Sequence, residues 1–136
     1  MITTMANSFD SALTDLGFSS FGESNRFDFA LQRGDSGEIA VSLYRDCEEN
    51  TLRISAYTSN AVPYSISRQF FSHFALAALE PFRDGIGIGM PENSDRICVF
   101  YSLPMKNYLP GNSVIVLEHL IEQVEKWDEL LPYAAE

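Results

Sequence analysis

Few side chains in this sequence are of the types that carry out catalysis, and they are far apart. The chain has only two histidines, His73 and His119. No G-x-S-x-G motif places a nucleophile next to a base. Because the neighbours of His73 at helical spacing are apolar, we interpret it as a core or interface residue, and His119 as solvated. The chain is predicted not to be an enzyme.

A glycine-rich segment at 85–89 resembles a phosphate-binding loop. It lacks the third glycine at the required spacing and the Lys-Ser/Thr pair that follows in a P-loop. Its glycines occupy every second position, so on a strand they lie on one face and leave that face flat. We therefore expect a close backbone approach, from a helix or a second chain, in preference to a bound phosphate. No cofactor and no metal are predicted.

Acidic residues outnumber basic ones by 19 to 9, for a formal net charge of −10. Nucleic-acid binding depends on clustered Lys and Arg, which are absent here, so nucleic acids and anionic membranes are not expected as partners. The acidity favours solubility, or a partner that is basic or prone to aggregate. The densest acidic group is interpreted as the solvated face of the last helix: Glu118, Glu122, Glu125, Asp128 and Glu129.

The two cysteines, Cys47 and Cys98, are too few for a disulfide framework and lie far from metal-ligand spacing, which favours a reducing compartment. The sequence shows neither a signal peptide nor an apolar run long enough for membrane insertion. With 136 residues, one hydrophobic core is expected. We expect a mature, cytoplasmic protein with a single domain over 1–136.

The spacing of apolar residues predicts three helices and five strands. Three- and four-residue spacing predicts an opening helix over 2–16, and period-two alternation predicts strands near 27–32, 39–43 and 52–57. A turn at 34–37 and a loop at 46–50 join these strands as an antiparallel meander. A helix at 66–80 ended by Pro81, strands at 86–90 and 96–103, and a helix at about 113–131 follow. The fold class is therefore α+β, with an antiparallel sheet packed with helices in the order α-β-β-β-α-β-β-α.

The second helix has more apolar surface than one sheet face can cover. Its apolar residues extend over more than half of its circumference, which indicates a partner surface. The glycine-faced strand follows directly. A symmetric homodimer about a two-fold axis uses both features, although the same residues can also belong to the core alone. The predicted dimer interface consists of Phe70, Phe74, Ala77, Ala78, Ile86 and Ile88.

The opening helix differs from the closing helix in length and in the width of its apolar stripe. The closing helix is long and two-faced, so its stripe is predicted to be core. The opening helix is short and its stripe is narrower, so together with the first strand it is the better candidate for a groove that a partner segment fills. The candidate residues are Met5, Phe9, Leu13, Phe27, Phe29 and Leu31.

The whole pattern resembles the class I type III secretion chaperones, a family of small, acidic, cytoplasmic dimers with this order of elements. The matches are the opening helix ending at Leu16-Gly17, the alternating strand from Phe27 to Leu31, the Gly87-Ile88 strand and the acidic closing helix. The resemblance implies that a homodimer binds the N-terminal region of a secreted effector and keeps it extended for secretion. An extended segment can add a strand to a sheet edge while its side chains enter apolar grooves.

Two other classes of function remain open. An acidic inhibitor or immunity protein would bind a folded basic partner through one charged face, and its binding would depend strongly on salt. A small enzyme or ligand carrier would need a pocket with convergent polar groups, and a small molecule would then stabilise it against heat.

Overall fold

The computed structural model describes residues 4–32, 37–79 and 85–136, and side chains in the first helix from residue 8 onward. The elements are α1 (Thr4–Asp15), β1 (Arg26–Gln32), β2 (Glu38–Asp46), β3 (Thr51–Ala61), α2 (Arg68–Ala77), β4 (Ile86–Gly89), β5 (Arg96–Pro104) and α3 (Asn112–Leu130), followed by a short 3-10 helix, Leu131–Tyr133. The predicted α+β class and order of elements are confirmed. Most of the predicted turn at 34–37 lies outside the described residues. Pro81, predicted to end the second helix, also lies outside them.

All strand pairs in the sheet are antiparallel, in the order β1-β2-β3-β5-β4. In the described residues β1 and β4 are therefore the two edge strands. The burial of β2 alternates residue by residue, with Ile39, Val41 and Leu43 buried. This alternation is why the period of two in the sequence predicts the strands correctly.

The helices α1 and α3 cover one face of the sheet. From α3, Leu117, Leu120, Val124 and Trp127 are buried, as the apolar stripe predicts, and Ile121 is half-buried against the core. From α1, Phe9, Ala12 and Leu13 are buried in the same core. No helix in the described residues is both long and apolar enough to cross a membrane.

An irregularity in β3 is held by an acidic residue of α3. The register between β3 and β5 shifts between Tyr57 and Ala61, and the Asp128 carboxylate accepts the backbone N–H groups of Ser59 and Asn60, both at 3.0 Å. The interpretation of Asp128 as part of a solvated face is therefore wrong. Its carboxylate pairs the backbone donors that the irregularity leaves without a strand partner.

The glycine-faced strand does receive a close approach, but from a side chain of the neighbouring strand. Gly87 lies opposite Phe100 on β5, and a Cβ atom at Gly87 would overlap the ring of Phe100. A Cβ atom at Gly89 would meet nothing within 4 Å. The two glycines on the same strand face therefore have different roles, and only Gly87 makes room for a neighbour.

Gly87→Ala is expected to lower the free energy of unfolding by about 1–2 kcal/mol, because the ring of Phe100 must move away from β4. Gly89→Ala is the matched control, since it adds the same methyl group to the same strand face in open space. Urea denaturation of both variants measures the difference. Equal stabilities would contradict a tight contact between Phe100 and β4.

Candidate functional site

The outer edge of β1 carries backbone groups that point away from the sheet. Arg45 N–H donates to the Asn25 carbonyl at 2.7 Å, and the register pairs Arg26 with Tyr44. Bonded and non-bonded pairs alternate in an antiparallel ladder, so the odd-numbered residues of β1 bond to β2 and the even-numbered ones face outward. The backbone N–H and C=O groups of Asp28 and Ala30 therefore lie on the open edge.

One outward position at the start of this edge is already occupied. The Ser24 hydroxyl donates to the Arg26 carbonyl at 3.0 Å and accepts the Arg26 N–H at 3.1 Å. An incoming strand therefore pairs with β1 beyond Arg26, from Asp28 onward.

An aromatic cluster lies beside this edge. The ring of Phe18, which follows α1, is 4.7 Å from the ring of Phe27 and 4.8 Å from that of Phe29, centre to centre. All three side chains are half-buried and pack against the core. A segment that paired with β1 could therefore place its own apolar side chains against exposed aromatic surface.

The structure divides the six residues predicted to form the binding groove. Phe27, Phe29 and Leu31 are half-buried on β1, where a partner can reach them. Phe9 is 5% exposed and Leu13 is 0% exposed, so both lie beneath the surface. The side chain of Met5 lies outside the described side chains. Sequence reasoning missed Phe18, which follows Gly17 and completes the aromatic cluster.

Polar contacts between α1 and the start of α3 fix the position of α1. The Asp15 carboxylate accepts the Gly111 N–H at 2.9 Å and the Tyr108 hydroxyl at 2.7 Å. These two bonds hold the pKa of the Asp15 carboxyl below its usual value, since they favour the charged form. In the next turn, the Ser113 hydroxyl donates to the Ala12 carbonyl at 2.8 Å. The helix α1, which precedes Phe18 of the aromatic cluster, is therefore held in place by these bonds.

The second helix, α2, is attached to the rest of the chain mainly through Trp127 of α3. The Trp127 ring lies 5.8 Å from Phe70, 5.1 Å from His73 and 5.7 Å from Phe74. Phe70 is the only fully buried residue of α2. Exposed apolar residues also follow the other side of the helix into the turn after it, and they are Phe71, Ala75, Leu76 and Leu79. We call this set the outer stripe of α2.

A cavity of about 520 Å³ opens between α2, β4 and α3. The residues that line it include His73, Leu76, Ala77, Ile86, Ile88 and Trp127. The lining is mostly apolar, and its polar side chains are His73, Gln123 and Lys126. A protein side chain fits such a lining better than a polar metabolite does.

The residues predicted for the dimer interface divide between these features. Phe70 is buried against Trp127 inside the chain, and Phe74, Ala77 and Ala78 are half-buried. Ile86 and Ile88 line the cavity. The six interface residues named from the sequence leave out Phe71 and Leu79, although both were counted among the apolar residues of this helix. Their signal was available, because Phe71, Ala75 and Leu79 follow four-residue spacing and lie on one helix face.

In the part of the chain that the structure describes, the remaining chemically active side chains do not gather into one site. His73 and His119 are both exposed and lie on different helices. Cys47 is exposed, whereas Cys98 is buried, and burial raises the pKa of its thiol. Among the described residues no group of three or more His, Cys, Asp or Glu side chains could hold a metal ion.

Comparison with solved structures relates this arrangement to known complexes, although neither a protein-family model nor a curated protein matches the sequence. A chain of the ExsC–ExsE complex has 16% identity and a TM-score of 0.72 over 96% of both chains. A chain of the HopA1–SchA chaperone-effector complex has 18% identity and a TM-score of 0.67 over 93% of this chain and 94% of its own. The structure of the Yersinia pestis type III secretion chaperone SycH with a stable fragment of YscM2 has 13% identity and a TM-score of 0.60, over 90% of this chain and 98% of its own. The chain therefore has the fold of type III secretion chaperones, as the resemblance in the sequence implies.

Proposed function

We propose that this protein is a cytoplasmic type III secretion chaperone, which binds the N-terminal region of a secreted effector as a homodimer and keeps that region extended. The observation that carries the proposal is the open edge of β1 beside the aromatic cluster of Phe18, Phe27 and Phe29. The fold, which is shared with solved chaperone-effector complexes, supports it.

The effector segment binds by adding a strand to the sheet. Its backbone pairs with the outward N–H and C=O groups of Asp28 and Ala30, and its apolar side chains pack on the aromatic cluster. Ordering an unfolded segment costs about 2–5 kcal/mol or more, so a long contact is favoured over a small one. Half-buried Leu31 extends the apolar surface along β1. Such binding requires no cofactor and no catalytic group.

The homodimer forms through α2 and the adjoining cavity. The outer stripe of α2 exposes Phe71 by 59%, Leu76 by 63% and Leu79 by 51%, and large apolar side chains this close together are typical of an interface. The cavity beside it supplies apolar surface from Ile86 and Ile88. In a two-fold arrangement, the outer stripe of one copy contacts the same stripe of the other copy.

The charge distribution fits a protein partner. The net charge of −10 disfavours nucleic acids and keeps a complex that contains an unfolded segment soluble. Carboxylates around the binding edge are not all available, since the Asp28 carboxylate pairs with Arg26 at 3.0 Å. Backbone pairing and apolar contacts, which are only weakly sensitive to salt, therefore supply the affinity. Strong salt dependence would instead indicate an inhibitor of a folded basic protein.

Replacing Ala30 with proline tests strand addition directly. Ala30→Pro removes an N–H donor that faces outward and leaves the bonds between β1 and β2 in place, because proline is tolerated on the open side of an edge strand. We expect capture of an unfolded N-terminal fragment of the client effector to weaken at least tenfold. Isothermal titration calorimetry measures the affinity.

The matched control is Ala30→Val, which keeps the N–H donor at the same position and has a side chain suited to a strand. Circular dichroism and thermal unfolding should show that both variants are folded. If Ala30→Pro and Ala30→Val bind the fragment with the same affinity, the client does not pair with β1, and the proposed mode of binding is wrong.

A further inference from the structure

The segment that follows α3 returns to the start of α2 and pairs with it. Ile66 and Ala135 form an isolated antiparallel bridge. On either side of it, Ser67 N–H donates to the Ala134 carbonyl at 2.8 Å, and Glu136 N–H donates to the Ser65 carbonyl at 3.2 Å. Ala134 is 0% exposed. This contact is a short piece of sheet that lies apart from the main one.

Ser67 connects this pairing to the helix itself. Its N–H group binds the returning segment, while its hydroxyl accepts the Phe70 N–H at 3.1 Å and caps the first turn of α2. A capping side chain fixes the direction in which a helix begins. The position of Ser67, and with it the axis of α2, is therefore set by the residues after α3.

Little else restrains α2. Its one buried residue is Phe70, and the aromatic contacts of Phe70, His73 and Phe74 in the described residues are all made with the ring of Trp127. At the far end of α2, its C-cap residue, Ala78, is bonded only to helix carbonyls in the described residues. A helix with so few tertiary contacts tends to open as a local unit before the rest of the fold does.

We propose that the segment Leu131–Glu136 is a clasp that holds α2 on α3 and thereby sets where the outer stripe is presented. Leu131 and Ala134 anchor the clasp in the core, at 3% and 0% exposure, and the pairing with residues 65–67 transmits that anchoring to α2. The consequence for assembly rests on the proposed homodimer: a second copy meets a correctly placed stripe only while the clasp is closed.

The clasp can be locked with a disulfide between the two bridge residues. Ile66 and Ala135 form a non-hydrogen-bonded antiparallel pair, where the Cα atoms are typically about 4.5 Å apart, within the range that a disulfide spans. The variant combines Ile66→Cys and Ala135→Cys with Cys47→Ser, which removes the exposed native thiol. The reduced and oxidised forms of this one protein are then compared by amide hydrogen exchange.

The clasp can also be opened at one hydrogen bond. Glu136→Pro removes the N–H group that donates to the Ser65 carbonyl. Glu136→Gln keeps that N–H and a side-chain oxygen for the Ser65 hydroxyl, which donates to Glu136 at 3.3 Å, so it is the matched control. Both substitutions lie at an exposed position, where the core is not disturbed.

We expect the amides of residues 71–79 to exchange about tenfold faster in Glu136→Pro than in Glu136→Gln, and at least tenfold slower in the oxidised than in the reduced disulfide variant. Amides of β2 and β3 should not change. Equal exchange of α2 in all four samples would overturn the clasp.

The consequence for assembly is tested separately. If α2 opens in Glu136→Pro but the dimer dissociation constant is unchanged, the clasp does not set the dimer surface. A wild-type chain that is monomeric at every concentration would refute the homodimer, while the exchange comparison would still decide the clasp.

Discussion

Replacing Trp127 with alanine is expected to lower the free energy of unfolding by about 3–5 kcal/mol, the usual range for removing a large buried aromatic side chain. Trp127 is 4% exposed, and its ring extends from α3 to contact three aromatic rings of α2. Its removal leaves a hole in the core and detaches α2 at the same time. Urea denaturation followed by circular dichroism measures the loss.

The control for this prediction is His119→Gln, a change at an exposed position of the same helix. It should leave the stability within about 0.5 kcal/mol of the wild type. A loss below about 1 kcal/mol for Trp127→Ala would mean that α2 and α3 do not depend on this contact. If His119→Gln abolished client binding without unfolding the chain, the proposal of a function without catalysis would be wrong.

Introducing a charge on the outer stripe, as in Phe71→Asp, is expected to convert the homodimer into a monomer of 15.3 kDa. Removing an aromatic anchor from the centre of an interface costs about 2–4 kcal/mol of binding free energy, which raises the dissociation constant roughly 30- to 1,000-fold. The two-fold axis brings two aspartates to the same contact, which adds repulsion between like charges. Sedimentation equilibrium at micromolar concentration measures the mass.

Ile115→Asp serves as the matched control, because Ile115 on α3 is 57% exposed and Phe71 is 59% exposed. It removes a similar amount of exposed apolar surface away from α2, so the dimer should remain. The thermal unfolding of the Phe71→Asp monomer should show one transition, with its helix content retained. A dimer that tolerates Phe71→Asp but dissociates with Ile115→Asp would place the interface on α3 instead.

The sequence predicts the order of elements well because most of the pattern is local. The period of two in β2 matches its buried residues one for one. The end of β3 was predicted less well, at residue 57, whereas the strand runs to Ala61. Its last residues are supported by Asp128, and Arg96 bonds the Thr58 carbonyl at 3.2 Å. Both supports come from parts of the chain that no local pattern connects to β3.

The candidate binding surfaces were harder to predict, because burial depends on distant residues. Phe9 and Leu13 belong to an amphipathic stripe that suggests an open groove, yet they are covered in the fold. The same buried cluster includes Phe21, which lies in a segment predicted to be a polar connection and is 6% exposed. Arg45 lies 4.9 Å from the centre of its ring. The periodicity of α1 shows which face is apolar, but not what covers it.

The second helix gives a similar result. Its excess of apolar residues correctly indicates two apolar sides, but the choice between them is made by Trp127, which lies in another helix. The side that contacts Trp127 becomes core, and the side with Phe71 becomes surface. Sequence periodicity alone assigned the interface to Phe70 and Phe74.

The position of Trp127 also makes intrinsic tryptophan fluorescence a specific probe of this protein. It is the only tryptophan, so all indole fluorescence comes from the place where α2 meets α3. Its ring lies 5.1 Å from that of His73 on α2. Trp127 shares a cavity with Ile86 and Ile88 of β4, the edge strand opposite β1, and four strand spacings across a sheet are roughly 19 Å. Tryptophan emission therefore reports the packing of α2 on α3 and the assembly of two chains without any label. It should change little when a segment binds at β1. One fluorescence titration can therefore distinguish dimer assembly from client binding.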